Sequence, residues 1–198
     1  MKKKVNRKAK QGLETRQKLI EAALRVFSRK GFSASTTKDI AREAGVTDGL
    51  IYHYFQSKEQ LLWVVLEQQT LNHKLREMVD QYSQFALLLE HTLQQIFRSL
   101  LQMLHQQQAF IVMFFGESQR NPVIQERLSE IIQQGVQHLY RLLAPKVAVE
   151  ETYLRTAIRN VLASVMMFFL THDRFAGDET SREQYIRDTV QQFMKGLE

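Results

Sequence analysis

The 198-residue chain has no cysteine, 2 prolines and 8 glycines. Without cysteine there is no disulfide, no thiolate zinc site and no cysteine nucleophile, which fits a reducing compartment. So few breakers leave little room for the turns of an all-β fold and favour long helices. The longest apolar stretch, Val161 to Leu170, is about half of the roughly 20 residues that span a bilayer. The basic start, MKKKVNRKAKQG, is not followed by the apolar stretch a signal peptide needs. A cytoplasmic protein with no membrane partner is therefore expected. Neither HExxH, a Gly-rich phosphate loop nor GxSxG occurs, and the six histidines (53, 73, 91, 105, 138 and 172) show no metal-ligand spacing. No enzyme, cofactor or metal site is expected; a small helical enzyme is the remote alternative.

What is present is an uneven charge. Residues 1–58 hold 14 Lys/Arg against 5 Asp/Glu, a net of +9, and residues 59–198 hold 13 against 16, a net of −3. A basic head on a slightly acidic body points to a polyanionic partner for the head. Residues 1–12 read as a basic flexible arm, 13–58 as the head, and 59–198 as a second domain.

The apolar periodicity is helical throughout. Leu19, Ile20, Ala23, Val26 and Phe27 form one stripe of a helix from about Thr15 to Lys30, ended by Gly31. Thr36 with Asp39 reads as a capping box opening a helix to Ala44, and Gly45 supplies the turn. Thr47 is the expected N-cap of a short helix to about Phe55. Ser57 with Gln60 forms a second expected box, opening a long helix to near Gln81. Further helices are expected over Phe85–Leu104, over Ala109–Glu117, from Asn121-Pro122 to Pro145, over Glu150–Thr171, and from a Ser181/Gln184 box to the end. The fold class is all-α, about nine helices in all.

Two helices of about nine residues joined around Gly45 make a helix-turn-helix, whose second helix enters the major groove while the first crosses the phosphate backbone. The segments AALRVFSRKGF, TTKDIAREAGV and IYHYFQSKEQLL, within roughly residues 14–66, resemble the DNA-binding domain of the TetR/AcrR transcriptional repressors. The resemblance implies an all-α homodimer. Its heads bind a pseudo-palindromic double-stranded operator, and its bodies bind a small lipophilic effector that releases the DNA. An activator, or a regulator without an effector, is the alternative within the same fold.

By position, the resemblance makes Thr36, Thr37, Lys38, Thr47, Asp48, Gly49, Leu50, Tyr52, His53, Tyr54 and Lys58 the DNA-facing residues. Threonine hydroxyls and a helix N-terminus donate to phosphate. Asp48 runs against the field of the head: it either accepts from a cytosine amino group or is a first-turn acid favoured by the helix dipole. Leu50 has only a thymine methyl to touch.

Two apolar seams, Leu154, Ile158, Val161, Val165 and Phe168, and Ile186, Val190, Phe193 and Leu197, are expected at the dimer interface; the alternative is intramolecular core. Trp63, Phe85, Glu90, Phe97, Met103, Phe110, Met113, Phe114, Glu117 and Met166 are the expected effector-pocket residues, with Phe115, Arg98 and Arg120 weighed beside them. An apolar, Met-rich cavity favours a lipophilic ligand.

Overall fold

A computed structural model describes residues 2–69, 76–77, 80, 88–176 and 178–197. No strand occurs among them, so the all-α class holds. The helices are α1 (Lys2–Lys30), α2 (Thr37–Ala44), α3 (Asp48–Tyr54), α4 (Lys58–Gln69), α5 (Leu89–Gln106), α6 (Gln108–Ser118), α7 (Pro122–Leu143), α8 (Glu151–Phe168) and α9 (Glu179–Lys195). Helix α8 continues through a π-helical turn, Phe169–Asp173, into a last turn at Arg174–Ala176.

Most helix starts follow from their caps. The Thr36 hydroxyl accepts from the Asp39 amide at 3.1 Å, and the Asp39 carboxylate accepts from the Thr36 amide at 3.1 Å, so the capping box is complete. Gly45 closes α2 in the left-handed region, φ 69°, which costs glycine nothing. The Asn121 side chain accepts from the amides of Val123 and Ile124, with Pro122 behind it.

Four features differ from expectation. Helix α1 begins at Lys2, so residues 2–12 are helical and continuous with the first helix of the head. That stretch contains no proline and many straight-chain residues with good helix propensity. The hydroxyl of Ser57 does accept from the Gln60 amide at 3.0 Å, but the Gln60 carbonyl takes the Gln56 amide, so the box is one residue out of register. Helix α9 is capped by Asp178, whose carboxylate accepts from the amides of Thr180 and Ser181. Ser181 lies inside the first turn, because a carboxylate upstream offers two acceptor oxygens where its hydroxyl offers one. Finally, Glu151–Asp173 is long and apolar enough to cross a membrane by length and composition. Thr, Asn, Ser and two Arg are spread among its apolar residues, which is why no unbroken run betrays it.

Two cores form. One unites α5, the later part of α7, α8 and α9 around Phe97, Leu139, Ile158, Phe169 and Val190. The other is built by α1–α4 around Leu19, Phe27, Ile40, Ile51 and Leu62, and it also takes in Phe110 and Phe114 of α6 and Ile124 of α7. The helix-turn-helix is therefore packed onto the body through α4 and α6, and its core does not stop at residue 58.

Candidate nucleic-acid interface

Helix α3 is held by a few contacts that leave its outer face free. Ile51 is buried in the head core, while Asp48, Gly49, Tyr52 and His53 are exposed and Leu50 is half-buried. Tyr52 is 59% exposed, and its hydroxyl lies 3.0 Å from that of Thr37 at the first turn of α2. This pair brings the start of α2 and the middle of α3 to one surface. Lys38 is exposed beside them. Tyr54 is half-buried, edge-on to His53 at 5.4 Å, and its hydroxyl lies beside Gly12 of α1.

Helices α1 and α2 are braced by charge. The carboxylate of Glu43 accepts from Arg25 at 2.9 Å and Arg29 at 2.8 Å. Hydrogen bonds from Arg29, then Arg25, hold it below the usual carboxylate range. Lys30 reaches Asp39 at 2.7 Å. The Lys30 hydrogen bond, followed by that of Thr36, lowers Asp39 to about 2. Of the acids on α2 and α3, Asp39 and Glu43 are thus neutralised, while Asp48 faces solvent with no cation partner among the described residues.

Thr47 lacks the expected capping bond, and Lys58 lacks the expected outward position. Thr47 occupies the N-cap of α3, but its hydroxyl makes no capping bond; the first turn is closed instead by the Leu50 amide donating to the Thr47 carbonyl at 3.0 Å. Lys58 turns inward. Its ammonium donates to the carbonyls of Phe32 at 2.8 Å and Ser35 at 2.9 Å, and lies 4.3 Å from the centre of the Phe32 ring. Those carbonyls belong to the turn between α1 and α2; that of Phe32 also accepts from the amide and hydroxyl of Ser35, and the cation closes the turn. Sequence spacing showed a lysine at a helix start; it did not show the two turn carbonyls opposite.

Comparisons with known proteins agree with this geometry. Residues 19–63 match the family model described as bacterial regulatory proteins, tetR family. Over 53 residues, 27% of this chain and 25% of the relative, the sequence is 51% identical to the HTH-type transcriptional regulator SrpR of Pseudomonas putida. Over this segment the chain is similar to tetR-family regulators. It is also 27% identical over 115 residues to the regulator UidR of Escherichia coli K12, across 56% of this chain and 55% of that one. These matches thus span a quarter and about half of those relatives' lengths. The fold as a whole resembles NalD of Pseudomonas aeruginosa, the secondary repressor of the MexAB-OprM multidrug efflux pump. The TM-score is 0.69 at 21% identity, covering 94% of this chain and 98% of that one.

Among the described residues, the body contains a mainly apolar cavity of about 380 Å³. It is lined by Leu100, Leu104, Phe115, Leu128, Ile131, Ile132, Gly135, Arg159, Leu162, Ala163, Met166 and Met167. Of the expected pocket residues Met166 lines it, as does Phe115. The others lie elsewhere. Phe97 and Met103 are buried in the body core. Phe110 and Phe114 are buried in the head core, and Met113 packs against that core. One residue on, the helix has turned by roughly 100°, so Phe115 points to the cavity where Phe114 points to the head. Trp63 lines a separate groove with Glu67, Val123 and Glu126. Glu90 is exposed, Arg98 pairs with Glu183 through two bonds of 2.6 Å, and Arg120 is exposed. Glu117 accepts from the amide and hydroxyl of Ser33. Burial pushes this carboxyl upward, but the Ser33 bonds outweigh it and leave it below its ordinary value. Phe85 lies outside the described residues.

The expected dimer seams are also reassigned. Leu154, Ile158, Val161, Val165, Ile186, Val190, Phe193 and Leu197 are all buried in the chain's own core. Phe168 is half-buried and stacks on Tyr185 at 3.7 Å. Helices α8 and α9 pack on each other and on α5 and α7 through these residues, so the apolar stripe is consumed within one protomer. The exposed side of α8 carries Asn160, Ala163, Ser164 and Met167 instead. Among the described residues no group of three or more His, Asp or Glu is arranged to hold a metal ion.

Proposed function

We propose that the chain is a transcriptional repressor that binds a pseudo-palindromic operator as a homodimer, in the cytoplasm, and is released by a small lipophilic effector. The observation that carries this reading is the α2–α3 surface. Thr37 and Tyr52 meet there, Lys38 and the first turn of α3 are exposed, and the acids of α2 are neutralised from behind. In this reading Thr36, Thr37 and Lys38 face phosphates. Asp48, Gly49, Leu50, Tyr52 and His53 face the groove, and Tyr54 supports the edge.

Dimerisation is assigned to the outer side of α8. An apolar helix that is only partly covered by its own chain favours a second copy. Small side chains at Ala163 and Ser164 let two such helices approach, with Met167 as the adaptable apolar contact; Ala163 and Met167 also border the cavity, so the proposed interface adjoins the effector site. The cavity between α5, α6, α7 and α8 is the effector site.

Fluorescence anisotropy with duplexes from upstream of the gene tests the operator role. Specific binding should weaken steeply between about 50 and 200 mM salt; absence of duplex binding, or salt-insensitive binding, refutes it.

A further inference from the structure

Eleven of the twelve residues lining the cavity carry no charge, and the twelfth is Arg159. Arg159 is exposed and has no hydrogen bond or ion pair among the described residues. Nearby carboxylates do not compensate it. Glu150 and Glu151 line a shallow polar groove that Arg159 also borders. Glu150 is occupied capping α8 through the amides of Thr152 and Tyr153, and Glu151 is paired with Arg155 at 2.7 Å. The guanidinium thus stands where the apolar cavity meets a wet groove. A ligand reaching this cation from inside the cavity has its charged end near water and its body against Leu100, Phe115, Leu128, Leu162 and Met166.

We infer that the cavity takes an amphipathic monoanion: a carboxylate, carried on a medium-length apolar chain, whose head meets Arg159. The inference rests on the cavity being the effector site proposed above and adds the charge of its ligand. About 380 Å³ is near the lower end of the roughly 300–1,000 Å³ range of small-molecule pockets, which favours a single chain over a fused multi-ring drug. Arginine presents a planar fork of donors that matches a carboxylate in two parallel hydrogen bonds. A neutral alcohol has one oxygen for that fork, and a quaternary ammonium is repelled by it.

Calorimetric titration of the full chain with decanoate, decanol and decyltrimethylammonium, each below its micelle concentration, tests this. Decanoate should bind at least ~10-fold more tightly than decanol, and the ammonium should not bind, as expected for a charge-assisted bond. Arg159→Gln should remove the decanoate advantage, while decanol, held mainly by the apolar wall, should still bind, which also shows that the variant is folded. Met166→Trp, which fills the cavity, should abolish both. Equal binding of decanoate and decanol, or an Arg159→Gln variant that still prefers decanoate, overturns the anion inference but keeps the apolar site. Binding of none of the three ligands, or binding that Met166→Trp does not change, overturns the site and the inference together.

Discussion

The Ser33 hydroxyl donates to one carboxylate oxygen of Glu117 at 2.7 Å, and the Ser33 amide donates to the other at 3.0 Å. Ser33 sits in the turn that leads into the capping box of α2, and Glu117 is two residues from Phe115 in the cavity wall. One side chain therefore ties the helix that a ligand would touch to the loop that carries the DNA-facing helices. Glu117→Ala should cost about 1 kcal/mol in urea unfolding, the usual value of a partly exposed hydrogen-bonded contact. It should also reduce the loss of operator affinity caused by a cavity ligand. Unchanged coupling would show that the signal travels through α4 alone.

The Thr36–Asp39 box sets the start of α2. Thr36→Ala should lower stability by about 1 kcal/mol, read as a fall in Tm by circular dichroism. Asp39 is depressed to about 2 from an unfolded value near 3.8. Its contribution is therefore complete above about pH 4 and fades as pH falls towards 2. The difference in Tm between wild type and Asp39→Asn should shrink over that interval; a gap independent of pH would refute the assignment.

Lys58 and Lys38 should separate cleanly. Lys58→Met removes the donors to the Phe32 and Ser35 carbonyls and should destabilise the chain by about 1.5–3 kcal/mol, leaving the salt dependence of DNA binding unchanged. Lys38→Ala should do the reverse: near-native stability, with a salt slope shallower by about 1. The opposite pattern would return Lys58 to the phosphate backbone.

Asp48 is the uncompensated acid of the reading helix. Asp48→Asn removes a like charge from the neighbourhood of phosphate and should tighten binding to unrelated duplexes. If the carboxylate reads a cytosine, binding to the operator should weaken instead by about 1–3 kcal/mol. Competition titrations with operator and random DNA distinguish the two.

Met167→Glu places a charge on the outer side of α8 and should convert a dimer to monomer in sedimentation velocity runs, with the helical content intact. A dimer that survives the substitution would move the interface off this face.

Features that depend on neighbours in sequence were legible in it. Thr36 and Asp39 are three residues apart, Asn121 precedes Pro122, and Gly45 follows a helical stripe; each is a local hydrogen-bonding or backbone requirement. The expected DNA face of α3 came from the family resemblance, and the exposure of Asp48, Gly49, Tyr52 and His53 is compatible with it. What failed depended on partners far along the chain. Phe114 and Phe115 are equally apolar, and only the packing of α6 against the head decides which one lines the cavity. The stripe of Leu154, Ile158 and Val165 could cover a second copy or its own protomer, and α5, α7 and α9 take it first. Lys58 looked like a surface cation because the carbonyls it satisfies lie more than twenty residues upstream.

Phe110, Phe114 and Ile124 complete the core under the helix-turn-helix. A chimera joined at residue 58, carrying this reading helix on a foreign body, would leave Phe27, Ile40, Ile51 and their neighbours against side chains not shaped for them. Transplanting the DNA specificity of this chain thus requires either moving α6 and the start of α7 along with the head, or re-cutting only the exposed positions of α3. The second route alters four residues, Asp48, Gly49, Tyr52 and His53, that contribute little to the core, and on the proposed reading would exchange one operator for another without rebuilding the interior.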